Sequence, residues 1–252
     1  MTNHFHTIVI GAGSGGMTAA IGLAGLGKQV AFIEGNHVGG DCTNVGCVPS
    51  KTLIHLGKHF KPGMNPDEAL REVTRKRDAL RDKETEEVRH LKNVTFIEGM
   101  AKFTAPKEIE VALKAGGTQK LTAENIVIST GARPRVIEIP GLPKEWMLTN
   151  ESLFDLRDMP KHLVVAGAGV IAMEMAFAFR KLGAKVTMYA LDPRLLAVYI
   201  PEVSEALQPE IEKKGIVTHY SATATGFDES TRTLTLKQDE KEIKIQDVDK
   251  VL

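Results

Sequence analysis

Thr7-Ile8-Val9-Ile10-Gly11-Ala12-Gly13-Ser14-Gly15-Gly16 is a short apolar run closed by glycines. A small-residue stretch carries it to about Leu26, and Gln29-Val30-Ala31-Phe32-Ile33-Glu34 follows. The pattern predicts a buried parallel strand, a tight turn, a helix, and a second strand ending in an acid. Such a unit holds a dinucleotide. Glycines at 11, 13, 15 and 16, with Ser14 among them, let the backbone approach a pyrophosphate at the helix N-terminus. Glu34, 18 residues beyond Gly16, stands where ribose hydroxyls are bound.

The unit recurs at an offset of 156 residues: Gly11 maps to Gly167, Gly13 to Gly169, Gly27 to Gly183 and Val30 to Val186. His162-Leu163-Val164-Val165-Ala166 is the matching strand, and Val170-Ile171-Ala172-Met173-Glu174 opens the matching helix. Gly16 becomes Ala172 and Glu34 becomes Ala190, so the second site lacks the ribose acid. Its loss is one way to admit a 2′-phosphate, for which Arg194 is the nearest cation, although Asp192 argues the other way. Two sites with different second-strand chemistry imply two different dinucleotides. The fold class is α/β, with two Rossmann-like dinucleotide-binding domains and a small antiparallel β-meander insertion. A Pro- and Gly-containing linker at Pro134, Pro140, Gly141 and Pro143 puts the boundary near residue 150, giving domains 1–150 and 151–252.

The chain has two cysteines, in Gly39-Gly40-Asp41-Cys42-Thr43-Asn44-Val45-Gly46-Cys47-Val48-Pro49-Ser50-Lys51. Two thiols make only half a zinc site, and a bridge over so short a loop adds little as a staple. On a regular helix residues five apart lie about 8.7 Å apart, beyond the about 6.8 Å a disulfide tolerates. Bridging therefore needs a distorted turn, for which Gly46 supplies freedom. On spacing alone, a redox pair and two free thiols both remain open. Pro49 suits a helix first turn and puts Cys47 at a helix N-terminus, where the macrodipole favours a thiolate. Lys51, one turn on, adds positive charge, leaving Cys42 as the outer thiol.

Zero net charge, from 32 basic and 32 acidic residues among 252, points away from nucleic acid and from membrane surfaces. No apolar run approaches a membrane span, and Met1–His6 lacks a signal-peptide pattern. Two cysteines suit a reducing, cytoplasmic setting. Asn65-Pro66-Asp67-Glu68 starts a helix reaching about Lys92, with Leu70, Val73, Leu80, Val88 and Leu91 as its apolar stripe and a solvated charged face. Strands are expected at Val94–Ile97, Ala101–Thr104, Ile109–Leu113 and Asn125–Gly131, with a turn at Gly116-Gly117. His55 and His59 lie four apart on a helix, but a third metal ligand is missing and a solvated face accounts for them; no metal is expected.

Gly39 to Lys51 resembles the redox-disulfide signature of the pyridine nucleotide–disulfide oxidoreductases, which include dihydrolipoamide dehydrogenase, glutathione reductase and mercuric reductase. Thr130-Gly131-Ala132-Arg133-Pro134 and Gly167 to Ala176 extend the resemblance along the chain. It implies FAD along the first fingerprint, with Glu34 on its ribose, Gly40, Asp41 and the cysteines beside it, Ala101 near adenine and Thr130-Gly131 near its phosphates. Lys51 and Glu174 would flank the flavin. NADPH or NADH, the former favoured by Ala172, would bind at Gly167, Gly169, Val170, Ile171 and Arg194. Electrons would pass through FAD to the Cys42–Cys47 disulfide, leaving Cys47 as thiolate and Cys42 to exchange with a disulfide, dithiol or metal-ion substrate. The resemblance also implies a C-terminal dimerisation domain with a histidine–glutamate acid/base pair. The chain is therefore expected to be an inactive fragment of a homodimeric enzyme. A non-catalytic nucleotide-binding module or redox sensor is the alternative.

Overall fold

The computed structural model describes residues 3–252; Met1 and Thr2, part of the leader reading, lie outside the described residues. The chain divides into two compact units. One comprises residues 1–49 and 75–133, the other 50–74 and 134–252.

The first unit opens with β1 (His4–Ile10), α1 (Ser14–Gly25) and β2 (Val30–Glu34). Two short steps follow, α2 (Gly40–Asn44) and α3 (Cys47–His59), the latter running on into the second unit. The 24-residue α4 (Pro66–Arg89) is likewise shared. Asn65 Oδ1 caps its start by accepting from the Asp67 amide at 3.0 Å. Its apolar stripe serves two cores: Leu70 and Val73 pack in the second unit, Val88 in the first.

β3 (Val94–Ala105), β4 (Glu108–Leu113) and β5 (Thr118–Ile128) complete the first sheet. β1 pairs in parallel with β2 and β5, and β2 with β3. The expected strands at 94–97 and 101–104 are one strand. Val94–Glu98 pairs with β2, and Gly99 to Ala105 turns to pair antiparallel with β4. β5 does the same, so two long strands belong to both the parallel sheet and the meander and close the ring. Gly99 is where β3 changes partner; a Cβ there would stand 2.5 Å from the Ala112 carbonyl oxygen. Ile8, Ile33, Ile109 and Leu121 fill the ring, and Val9, Val30 and Phe32 pack the other face with Ala20 and Val88.

The second unit carries α5 (Asn150–Leu153), β6 (His162–Ala166), α6 (Val170–Lys181), β7 (Lys185–Tyr189), α7 (Pro201–Lys213) and β8 (Val217–His219). β9 (Ala222–Asp228), β10 (Thr233–Gln238) and β11 (Lys241–Ile245) form an antiparallel sheet, and β12 (Lys250–Val251) returns to pair in parallel with β6. In the second unit Leu53, Ala69, Leu70, Val73 and Leu148 are buried with Leu163, Phe179 and Leu182. Under the antiparallel sheet Trp146 meets Phe227 edge-on at 5.5 Å, with Arg232 over its ring.

The repeat is exact in backbone bonding. Gly11 N donates to Ile33 O at 2.8 Å, and Gly167 N to Tyr189 O at 2.7 Å. Met17 N donates to Gly13 O as Met173 N does to Gly169 O. The two helix starts adopt the same conformation, Gly13 at φ −82°, ψ −174° and Gly169 at φ −83°, ψ −179°.

Candidate functional site

In the first unit the glycine turn has no room for a side chain at Gly11 or Gly16. A Cβ on Gly16 would fall on the Gly11 carbonyl oxygen and 2.8 Å from Ser129 Oγ. Ser129, which the sequence reading passed over, ties the end of β5 to this turn by donating to Ile10 O at 2.9 Å and Gly11 O at 3.1 Å. Its position just before Thr130-Gly131 was the available signal. Thr130 and Gly131 are exposed in the following loop, where Gly131 takes φ +69°. Ala101 lies half-buried in the meander part of β3, paired with Val111.

Glu34 ends β2 with its carboxylate held from two sides. Oε2 accepts from Ala12 N at 2.6 Å and Oε1 from Asn36 N at 2.7 Å. Each oxygen keeps a lone pair for a ribose hydroxyl.

The cysteine loop is fastened to the same turn. Gly39 N donates to Ala12 O at 2.8 Å, and Gly39 and Gly40 are left-handed at φ +92° and +56°. The backbones approach so closely that a Cβ on Gly40 would stand 2.6 Å from Gly13 Cα. Asn44 Nδ2 donates to Val38 O and Gly40 O, both at 2.9 Å, clasping the loop. Gly46 serves by room rather than by left-handed backbone, since a Cβ would lie 2.7 Å from Asp41 O. The helix breaks there, α2 carrying Cys42 and α3 beginning at Cys47.

Both cysteines are exposed free thiols joined by a hydrogen bond, and that bond is the main cause pushing the Cys42 pKa up, followed by burial. Glu84 adds to the effect from α4, where its Oε2 accepts from Thr43 Oγ1 at 2.9 Å.

In the second unit, Lys51 Nζ and Glu174 Oε1 meet at 2.5 Å. The side chains are 62% and 34% exposed, so the pair adds little stability and its worth is positional. Lys51 and Glu174, which the resemblance puts side by side, are thus paired with each other. Gly167 at φ +138° and Gly169 form the second turn, and no heavy atom lies within 4 Å of a Cβ built on Gly169. Val170 and Ile171 are exposed beside it. Ala190 is buried, leaving no carboxylate at this strand end.

Arg194 departs from the expectation. Its guanidinium faces its own loop, donating to Ser204 Oγ at 2.6 Å, Ala197 O at 3.0 Å and Tyr199 O at 2.6 Å. Longer bonds reach Leu195 O and Leu196 O, so Arg194 braces this loop. His55 and His59 are exposed, with ring centroids 4.6 Å apart and the rings tilted by 51°; no group of three or more metal-ligating side chains occurs among the described residues. Among those residues, too, no helix is long and apolar enough to cross a membrane.

The family model described as pyridine nucleotide-disulphide oxidoreductase matches residues 5–252. The chain belongs to this family. It is 35% identical over 233 residues to a dihydrolipoyl dehydrogenase of Chlorobaculum parvum, an alignment covering 86% of the chain and 49% of the relative. A mercuric reductase of Lysinibacillus sphaericus is 34% identical over 243 residues, covering 90% and 43%. Among solved structures, the Cu(II) complex of the HOCl-induced flavoprotein disulfide reductase RclA from Escherichia coli superposes with a TM-score of 0.88 at 26% identity. All of this chain and 56% of that one are covered. The chain spans about half the length of the curated relatives it matches.

The family uses FAD and NAD(P)H, and the residues present fit both. The first turn offers backbone that a Cβ would block, a carboxylate at the ribose position, and a buried acceptor, Asn44 Oδ1, with no protein donor. The second offers open space at Gly169 for a pyrophosphate and an uncharged strand end.

Proposed function

We propose that the protein passes electrons from NAD(P)H through FAD to the Cys42–Cys47 pair and on to a disulfide, dithiol or metal-ion substrate. The carrying observation is the paired thiols on a loop fastened at Gly39 and Gly40 to the phosphate turn. On this reading residues 1–150 hold FAD and 151–252 the nicotinamide dinucleotide. FAD, when bound, supplies the two-electron relay between nicotinamide and disulfide.

The protein's own residues divide the work. Gly11, Gly13, Ser14, Gly15 and Gly16 admit one pyrophosphate, and Glu34 holds its ribose. Gly167, Gly169, Val170 and Ile171 admit the other. Lys51 and Glu174 neutralise each other's charge. Opening the Cys42–Cys47 bond takes up two electrons and one proton and yields a thiol on Cys42 and a thiolate on Cys47. On this reading Cys47, the first residue of α3, carries the negative charge, at the positive end of the helix dipole. Cys42, the protonated partner, must lose that proton to attack a substrate disulfide. The mixed disulfide then resolves when the Cys47 thiolate attacks the Cys42 sulfur, releasing the second substrate thiol and restoring the bond.

The working enzyme is a cytoplasmic homodimer on this reading, and residues 1–252 alone do not turn over. The test is stopped-flow reduction of the full-length, FAD-loaded protein with NADH or NADPH, followed by thiol counting. Two thiols gained per flavin support the reading; flavin reduction without thiol gain overturns it.

A further inference from the structure

The carboxylate of Glu84 is wrapped by the cysteine loop although it comes from α4. Thr43 Oγ1, next to Cys42 in α2, donates to Glu84 Oε2 at 2.9 Å. The same oxygen lies so close over Gly39 that a Cβ there would collide with it, and with the Thr43 side chain. Gly39 therefore has two reasons to be glycine, its φ of +92° and the carboxylate packed on it. Neither contact is needed to make α4, whose start is capped at Asn65 and whose apolar residues point elsewhere.

We propose that Glu84 is a positioning residue for the dithiol, holding the turn that carries Cys42 and laying a fixed negative charge beside the outer thiol. The inference rests on the flavin–dithiol reading above. The side-chain hydrogen bond with Cys47 and burial do most to raise the Cys42 pKa, and the Glu84 charge adds to them in the same direction. The anion beside Cys42 disfavours a second anion, so the single thiolate of the reduced pair resides on Cys47. Glu84 thus protects the division of labour between the thiols: the inner one stays charged, and the outer one ionises only as substrate arrives.

The test uses full-length, FAD-loaded protein reduced by two electrons. Alkylation of Cys42 by iodoacetamide is followed against pH by peptide mass spectrometry. Glu84→Gln keeps an acceptor for Thr43 and removes the charge. It is expected to move the profile to lower pH and to speed alkylation about two- to fivefold on the acid limb, where rate follows thiolate fraction. Thr43→Val loosens the turn and is expected to weaken the thiolate–flavin charge-transfer absorbance without loss of FAD. A Glu84→Gln profile that overlays the wild type overturns the proposal, even if the variant melts earlier. Wild-type protein with no charge-transfer band and equal alkylation at both cysteines would instead overturn the flavin–dithiol reading itself.

Discussion

At Cys42 and Cys47, identical side chains are made unequal by backbone. One sits in the five-residue α2, the other at the head of the thirteen-residue α3. In the two-electron-reduced, FAD-loaded protein, Cys42→Ser should retain a thiolate–flavin charge-transfer absorbance and Cys47→Ser should lose it. The opposite pattern would reverse the assignment. Glu34 gives a second residue-scale expectation. Glu34→Ala removes an acceptor held between Ala12 and Asn36. FAD retention should weaken by about 1–3 kcal/mol, measured by equilibrium dialysis, while nicotinamide affinity of reconstituted protein stays put. Arg194 bears on the choice of nicotinamide. With its guanidinium committed to its own loop, kcat/KM for NADPH and NADH should differ by less than about tenfold, or about 1.4 kcal/mol. A larger preference for NADPH would mean that another cation reads the 2′-phosphate.

Elements tell which glycines are structural and which wait for a ligand. Gly16→Ala drives a methyl into the Gly11 carbonyl and should cost about 1–3 kcal/mol in thermal or urea unfolding. Gly169→Ala meets open space, so stability should move by less than about 0.5 kcal/mol, while nicotinamide binding weakens. Both βαβ units were legible because their signal is local, glycines and apolar runs within about thirty residues, although β1 starts at His4, before the apolar run. β3 was split in two because a strand that changes partner at Gly99 also changes which face is buried. The first half of β5 was missed because Thr118 to Glu124 is mostly polar, and β9 to β11 went unread although Thr233–Lys237 alternates. Glu84 lies 41 residues from Thr43, in a helix whose charges read as solvated. The loop bonds of Arg194 were not legible because its partners assemble only once Leu196 turns left-handed at φ +49° and Ser204 arrives from α7.

At the scale of the molecule, three histidines set the response to acid. Burial lowers the pKa of His37, aided by Arg81, Lys114 and Arg77; it also lowers those of His162 and His219. His162 has both ring nitrogens engaged, with Gln246 O and Thr187 Oγ1, each at 2.9 Å. These groups stay neutral in the fold but take up protons in the unfolded chain as pH falls through about 6.5. Stability should therefore decline as pH drops below that value, and calorimetry from pH 8 to 5 checks it. A flat profile would show that the rings protonate in place. The first sheet has a different consequence, one of timing. β1 is bonded on one side to β2, but its other partner begins pairing at Thr122, 118 residues after His4. On a ribosome adding about 5–20 residues per second, β1 waits about 6–24 seconds with one edge bare. The segments made in that interval, α1 to β4, must keep that edge from pairing with another nascent chain.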